Sequence, residues 1–224
     1  MKVCAVHTKV SGSTRKISDL LIEELKKNNA EISIQEYTVA GFKPCAGCFS
    51  CFANGEKTCP HASEVGPIAV AIEEADVVIL DSPCYTMGMA GAMQSFLEHL
   101  GYRFFAHRPH PAMAHKIGVA ISTCGGLGAG KVTKDLKRHF FYWGAAKYYR
   151  LPFTVFASSW PEVKEKTKAK IVKKIQKTAL SISEKSGKVN RPVHLRMMMR
   201  VCGAMVKKGN GFPLDAAWWT SQNP

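Results

Sequence analysis

The chain has 224 residues, 46% of them hydrophobic, enough for one substantial core and too little for two full domains. No apolar run approaches the roughly 20 residues that cross a bilayer, and the opening MKVCAVHTKV lacks the long apolar region of a secretory signal, so a cytoplasmic protein is expected. The formal net charge is +14, but residues 160–210 hold fourteen Lys or Arg against three acidic residues and so carry +11 of it, a segregated basic end rather than a patterned nucleic-acid surface.

Residues 2–7 alternate weakly and end in a polar loop, as a short buried first strand does. From Ser13 or Thr14, apolar residues Ile17, Leu20, Leu21, Ile22 and Leu25 recur at helical spacing, and Lys26, Lys27 and Asn28 close that helix. A second strand is expected over residues 31–37 and a helix over 64–75. DVVILD at 76–81 is a near-continuous run of β-branched residues, the pattern of a central parallel strand buried on both faces. A helix through Phe96, Leu97 and Leu100 follows. After it come a fourth strand at 116–122 (KIGVAIS), a helix from about 131 to 143, a fifth strand at 151–157 and a lysine-rich helix at 163–185. Five strands alternating with helices specify a three-layer α/β sandwich with right-handed crossovers.

That domain spans residues 1–187. Beyond it, 188–224 change character: RPVHLRMMMRVCGAMVKK (191–208) forms one basic amphipathic helix, and GNGFPLDAAWWTSQNP reads as a tail. Packing on its own domain or on a second subunit is the expected use of that helix, ahead of attachment to a membrane surface.

Between the second strand and the following helix, residues 41–61 (GFKPCAGCFSCFANGEKTCPH) contain half of the eight cysteines. Cys45, Cys48, Cys51 and Cys59 follow C-x2-C-x2-C-x7-C, with Pro60 next. Such close spacing lets one turn of loop wrap a polynuclear centre, as in bacterial ferredoxins. Structural zinc more often splits its ligands into two separated C-x2-C knuckles. The pattern favours iron and sulfur over zinc or redox-active thiols, and structural disulfides are the weakest alternative in a reducing compartment. Cys4 and Cys202 read as small core residues. His107, His110 and His115 lie in a loop segment without carboxylates, so a surface or substrate-side loop is expected there rather than a metal site.

Three unusual loops follow strands one, three and four, at the carboxyl ends where open α/β sheets bind ligands. In the first, HTKVSGSTRK, Ser11, Gly12, Ser13 and Thr14 gather hydroxyls and free N–H groups at a helix start, an anion site suited to a phosphate monoester. It lacks the GxxxxGK[ST] and GxGxxG spacings, which disfavours ATP and a first-loop NAD site. The second loop, 82–91, presents Pro83, Cys84, Tyr85 and Thr86, across which a flat aromatic ring would lie. The third, 123–130, has four glycines that permit close approach of backbone to a ligand.

These segments resemble the flavodoxin-like NAD(P)H-dependent FMN reductases and, within them, the iron-sulfur flavoproteins of anaerobic bacteria and archaea. The resemblance covers about residues 1–152. It is carried by SGST, by SPCYTMGMAGAMQSFLEH, by TCGGLGAG with WGA at 143–145, and above all by PCAGCFSCFANGEKTC. It implies a flavodoxin-like three-layer sandwich with a five-stranded parallel sheet of order 2-1-3-4-5. It also implies FMN at the carboxyl edge and a 4Fe-4S cluster on Cys45, Cys48, Cys51 and Cys59. The phosphate would fall to Lys9, Ser11, Ser13 and Thr14, with His7 at the mouth of the loop. Pro83, Cys84, Tyr85, Thr86 and Met87 would border the isoalloxazine on one side, and Thr123, Cys124, Gly125 and Gly126 on the other. Three departures stand out: Lys9 and Ser13 replace a frequent arginine and asparagine, Thr86 replaces an aromatic, and HASEV stands where an acidic pair commonly follows the fourth cysteine.

With no defensible Ser-His-Asp arrangement, no residue is assigned a catalytic role and the chemistry would be the cofactors' own. The expectation is an FMN-dependent oxidoreductase passing electrons through a 4Fe-4S cluster and FMN between a low-potential donor, ferredoxin-like or NAD(P)H, and a small-molecule acceptor. Neither nucleic acid nor membrane is an expected partner, and the resemblance implies a homodimer or homotetramer. The alternatives are an NAD(P)H-dependent FMN or quinone reductase without a cluster, and a non-catalytic electron carrier or basic binding module.

Overall fold

Alternate residues of a strand point to opposite faces of its sheet, and this chain builds a core on each face. The computed structural model describes residues 1–222; Asn223 and Pro224, the end of the expected tail, lie outside the described residues. The chain runs β1 (Lys2–His7), α1 (Ser13–Asn28), β2 (Ser33–Thr38), α2 (Ser50–Ala53), α3 (Ala62–Glu74), β3 (Val77–Asp81), β4 (Cys84–Tyr85), β5 (Gly88–Met89), α4 (Gly91–His99), β6 (Ile117–Cys124), α5 (Ala129–Tyr142), β7 (Lys147–Thr154), α6 (Glu165–Lys185), α7 (Val193–Lys207) and α8 (Pro213–Gln222). The parallel sheet has the order β2-β1-β3-β6-β7. That is the expected 2-1-3-4-5 arrangement of the five core strands, because the small antiparallel hairpin β4–β5 stands apart from the sheet.

Parity is kept across the ladder. Val3, Ala5, Val77, Ile79, Val119 and Ile121 pack under α1 and α6. Cys4, Val6, Val78, Leu80 and Ala120 pack on the other face, under α3, α4 and α5. Pairing Val3 with Val77 and Val77 with Ile117 holds that alternation in step. Gly118 is needed where it stands, since a Cβ there would come within 2.5 Å of the Phe140 ring of α5. Among the described residues no helix is long and apolar enough to cross a membrane.

Three expectations are corrected. The last strand begins at Lys147, four residues before the apolar LPF, because an edge strand needs no continuous apolar run; its first half is only partly buried. The second strand, also an edge, starts at Ser33 rather than residue 31. The tail contains α8, whose helical stripe is too short to read alone. Long-range packing defines it: Trp219 is buried against α7, where Gly203 leaves room for the indole that a Cβ would meet at 2.5 Å.

His139, on α5, contributes a pH dependence. Its ring lies edge-on to Phe104 and Trp143, and its enclosed Nδ1 has no partner. Burial, and secondarily the adjacent Arg138, lower its pKa from 6.5 to about 4. Between these values the unfolded chain binds a proton that the folded chain refuses, so stability is full above pH 6.5 and declines toward pH 4. Urea melts at pH 7 and pH 5 should show this difference shrinking in His139→Phe.

Candidate functional site

β1 delivers the first loop at the carboxyl edge, and a buried carboxylate on the adjacent strand fixes where it turns. Asp81, at the end of β3, accepts hydrogen bonds from His7 Nδ1 at 2.5 Å, Ser18 Oγ at 2.7 Å and the Thr8 backbone N–H at 3.1 Å. Thr8 Oγ1 donates to the Asp81 carbonyl at 2.7 Å. On its other side, His7 Nε2 meets Glu36 at 3.2 Å, and Arg15 donates to the same carboxylate at 2.6 Å. His7 is therefore fully enclosed beneath the loop, at its root rather than its mouth.

The loop then reaches Gly12 at φ 110 and enters α1 without a side-chain cap. Thr14 Oγ1 meets Thr123 Oγ1 at 2.6 Å, which ties the first loop to the end of β6. Ser13 Oγ is enclosed and has no partner. A hydroxyl held dry at a helix start, beside the free N–H groups of the first turn, is suited to an anionic oxygen.

The second loop is the β4–β5 hairpin. Its two turn residues, Thr86 and Met87, have φ of 47° and 62°, a type I′ requirement more often met by Asn-Gly. Tyr85 is half exposed, and Lys9 Nζ lies 5.0 Å above its ring centre. The third loop runs close beneath the hairpin: a Cβ on Gly128, at φ 108, would come within 2.4 Å of Cys84 Sγ. Burial raises the Cys84 thiol pKa, and the neighbouring Cys124 adds to the effect.

Together the loops enclose a cleft of about 330 Å³. Lys9, Ser11, Ser13, Thr14, Pro83, Cys84, Tyr85, Thr123, Cys124 and Gly125 line it, whereas His7, Thr86, Met87 and Gly126 do not. Gly12, placed with Ser11, Ser13 and Thr14 in the anion loop, lines it too; sequence reasoning missed Arg15 and a fourth wall of Val155, Ala157 and Ser158. That wall follows β7, another carboxyl end, so the rule that located the other three loops would have found it.

The cysteine segment leaves β2 and folds through α2 and a 3-10 turn, Glu56–Thr58. Thr58 Oγ1 closes it, bonding Ser50 Oγ at 2.6 Å and the Gly55 carbonyl at 2.7 Å. Cys48 is exposed, while Cys45, Cys51 and Cys59 are partly covered. Burial first, then the thiolates of Cys59, Cys45 and Cys48, raise the Cys51 pKa. His99 donates from Nε2 to the Lys43 carbonyl at 3.0 Å and turns Nδ1 toward Cys59 Sγ, 3.8 Å away. Among the described residues no three His, Cys, Asp or Glu side chains are drawn close enough to hold a metal ion.

A parallel sheet of this order, with its cleft across the carboxyl edge, makes the chain a flavodoxin-like protein. The family model of NADPH-dependent FMN reductases matches residues 1–157, and the chain belongs to that family. It is 28% identical over 131 residues to the "Iron-sulfur flavoprotein" of Archaeoglobus fulgidus, covering 56% of this chain and 57% of that protein. The matched region thus spans little more than half of that relative. Identity to the "Iron-sulfur flavoprotein MJ1083" of Methanocaldococcus jannaschii is 26% over 144 residues, covering 59% of this chain and 69% of the relative. Among solved structures, an FMN-dependent NADH-azoreductase from Bacillus anthracis in complex with FMN shares the fold, with a TM-score of 0.62 at 12% identity, over 82% of this chain and 100% of that one.

Proposed function

We propose that the protein is a cytoplasmic FMN-dependent oxidoreductase. It would pass electrons from a low-potential donor, ferredoxin-like or NAD(P)H, through a 4Fe-4S cluster and FMN to a small-molecule acceptor. The observation that carries this reading is the enclosed, unpartnered Ser13 hydroxyl in the cleft at the start of α1. A phosphate oxygen would complete it, with Lys9, Ser11 and Thr14 around the same group, Lys9 supplying the positive charge. Pro83, Cys84 and Tyr85 would border one side of the isoalloxazine, and Thr123, Cys124 and Gly125 the other. His7 would hold the root of the loop, Thr86 and Met87 the turn that presents Tyr85, and Gly126 the outer part of the third loop.

Cys45, Cys48, Cys51 and Cys59 fit the soft, all-thiolate donor set of an iron-sulfur centre. Each must lose its proton to ligate, and a bound cationic centre would offset the burial and the mutual thiolate repulsion that together raise the Cys51 pKa. When bound, FMN supplies one- or two-electron exchange and the cluster supplies single electrons. The chain's own part is to hold the phosphate, border the ring and direct the thiols.

Ser13→Ala separates binding from folding. Removing a buried hydroxyl that lacks a partner should leave apoprotein stability unchanged or slightly raised, while FMN affinity falls about tenfold, the value of roughly one charge-assisted hydrogen bond. Fluorescence titration and urea unfolding of the same preparation read the two effects.

The reading as a whole is tested by anaerobic purification with an absorption spectrum and quantification of FMN, iron and acid-labile sulfide. A brown protein containing all three is expected, and a reconstituted sample without iron would remove the cluster. The family's description favours a second reading, an NADPH-dependent FMN or quinone reductase with unoccupied thiols. A plain yellow protein that oxidises NADPH would establish it. The basic end would attract an acidic carrier, so reduction by ferredoxin should slow steeply with added salt. A homodimer or homotetramer completes the proposal, to be measured by light scattering.

A further inference from the structure

We infer that the C-terminal helices clamp the cysteine segment, with Arg108 and Phe212 as positioning residues for Cys51; the inference rests on the reading of that segment as a cluster site. Asp215 of α8 is fully buried. A carboxylate without access to water must be paired, and this one accepts from His107 Nδ1 at 2.7 Å and from Arg108 Nη1. The other arm of the same guanidinium does not turn to solvent. Arg108 Nη2 donates to the Cys51 carbonyl at 2.5 Å.

One residue therefore joins α8 to the backbone of a proposed ligand. Phe212, just before α8, makes a second connection: its ring stacks on Phe52 at 5.3 Å and 27° and on Phe49 at 6.2 Å and 26°. Phe52 also meets His107 edge-on at 4.6 Å. Cys51 thus sits in a short helical turn whose rings on both sides lie under Phe212 and whose carbonyl is held by Arg108. Phe49 enters that turn at φ 57, a conformation that nonglycine residues keep only when their surroundings fix it.

A bridge that served only to dock α8 would be complete at Asp215. The contact with the Cys51 carbonyl adds direction to a thiol-bearing turn, and the stacked rings partly cover that flank. Hydrogen bonding and solvent access around a ligand sulfur are what tune an iron-sulfur centre.

The test uses the full-length, reduced, metal-free protein and measures iodoacetamide alkylation of Cys51 by mass spectrometry, with Cys84 as the reference within each chain. Phe212→Ala removes the stack. Arg108→Lys keeps a charge for Asp215 but loses the planar fork that reaches both partners. Each should raise the Cys51 to Cys84 rate ratio by about fivefold or more, through local opening of the turn, whereas Phe212→Tyr should stay close to wild type. In iron-loaded protein, the first two variants should alter the electron paramagnetic resonance signal of the reduced centre and release iron to a chelator about fivefold faster. An unchanged ratio in both variants, accompanied only by a lower melting temperature, would overturn the clamp. Failure of the wild type to take up iron while the ratio still rises would overturn the cluster reading and leave the clamp standing.

Discussion

Asp81→Ala is expected to lose about 3–5 kcal/mol of stability and most of its FMN affinity, because one buried carboxylate serves three donors. It is 1% exposed and accepts from His7, Ser18 and the Thr8 backbone N–H. Truncation leaves these buried groups without that acceptor. The loop that would hold the phosphate begins at Thr8, so its anchor and the domain's stability are lost together. Asp81→Asn should be milder, since it keeps one acceptor oxygen and the shape of the site. Urea unfolding of apoprotein and FMN titration provide the measurements. An alanine variant within 1 kcal/mol of wild type, with unchanged affinity, would contradict the anchoring role.

Gly128→Ala should leave the sheet intact and weaken FMN binding by about ten- to a hundredfold, through roughly 1.4 kcal/mol per factor of ten. Two effects act at once. The backbone sits at φ 108, which costs an L side chain on the order of 1–3 kcal/mol. The new methyl would also stand 2.4 Å from Cys84 Sγ and 3.3 Å from Met87 Sδ, so it would drive the β4–β5 hairpin away from the third loop. Gly128→Ala with Cys84→Ala separates the contributions: the double variant should recover the steric part and retain the backbone part. If the double variant binds FMN no better than Gly128→Ala alone, the contact with Cys84 does not shape the cleft.

The central strands were the most legible part of the fold. VVIL within β3 and IGVAIS within β6 must be apolar on both faces to sit between two helix layers, and that demand is written locally. Edge strands face a weaker demand, which is why β2 and β7 were misplaced by two and four residues. The hairpin was not anticipated because Thr86-Met87 carries none of the usual turn chemistry. The first three cleft loops followed from topology plus composition. Asp81 did not: its partners lie 63 to 74 residues away, and only the strand pairing brings them to it. Asp215 is hidden more deeply, since an acidic residue in an apparent tail gives no sign that Arg108 and His107 need it.

The cysteine segment departs from β2, the outermost strand on its side of the sheet. A loop leaving an edge strand interrupts no ladder, so the sheet accommodates its length without repacking. Its cover is less independent. Phe49 and Phe52 are matched by Phe212, and Arg108 spans both, so deletion of either the segment or the C-terminal helices strands aromatic surface on the other. The two segments, far apart in sequence, thus act as one packing unit, each supplying the surface that the other covers.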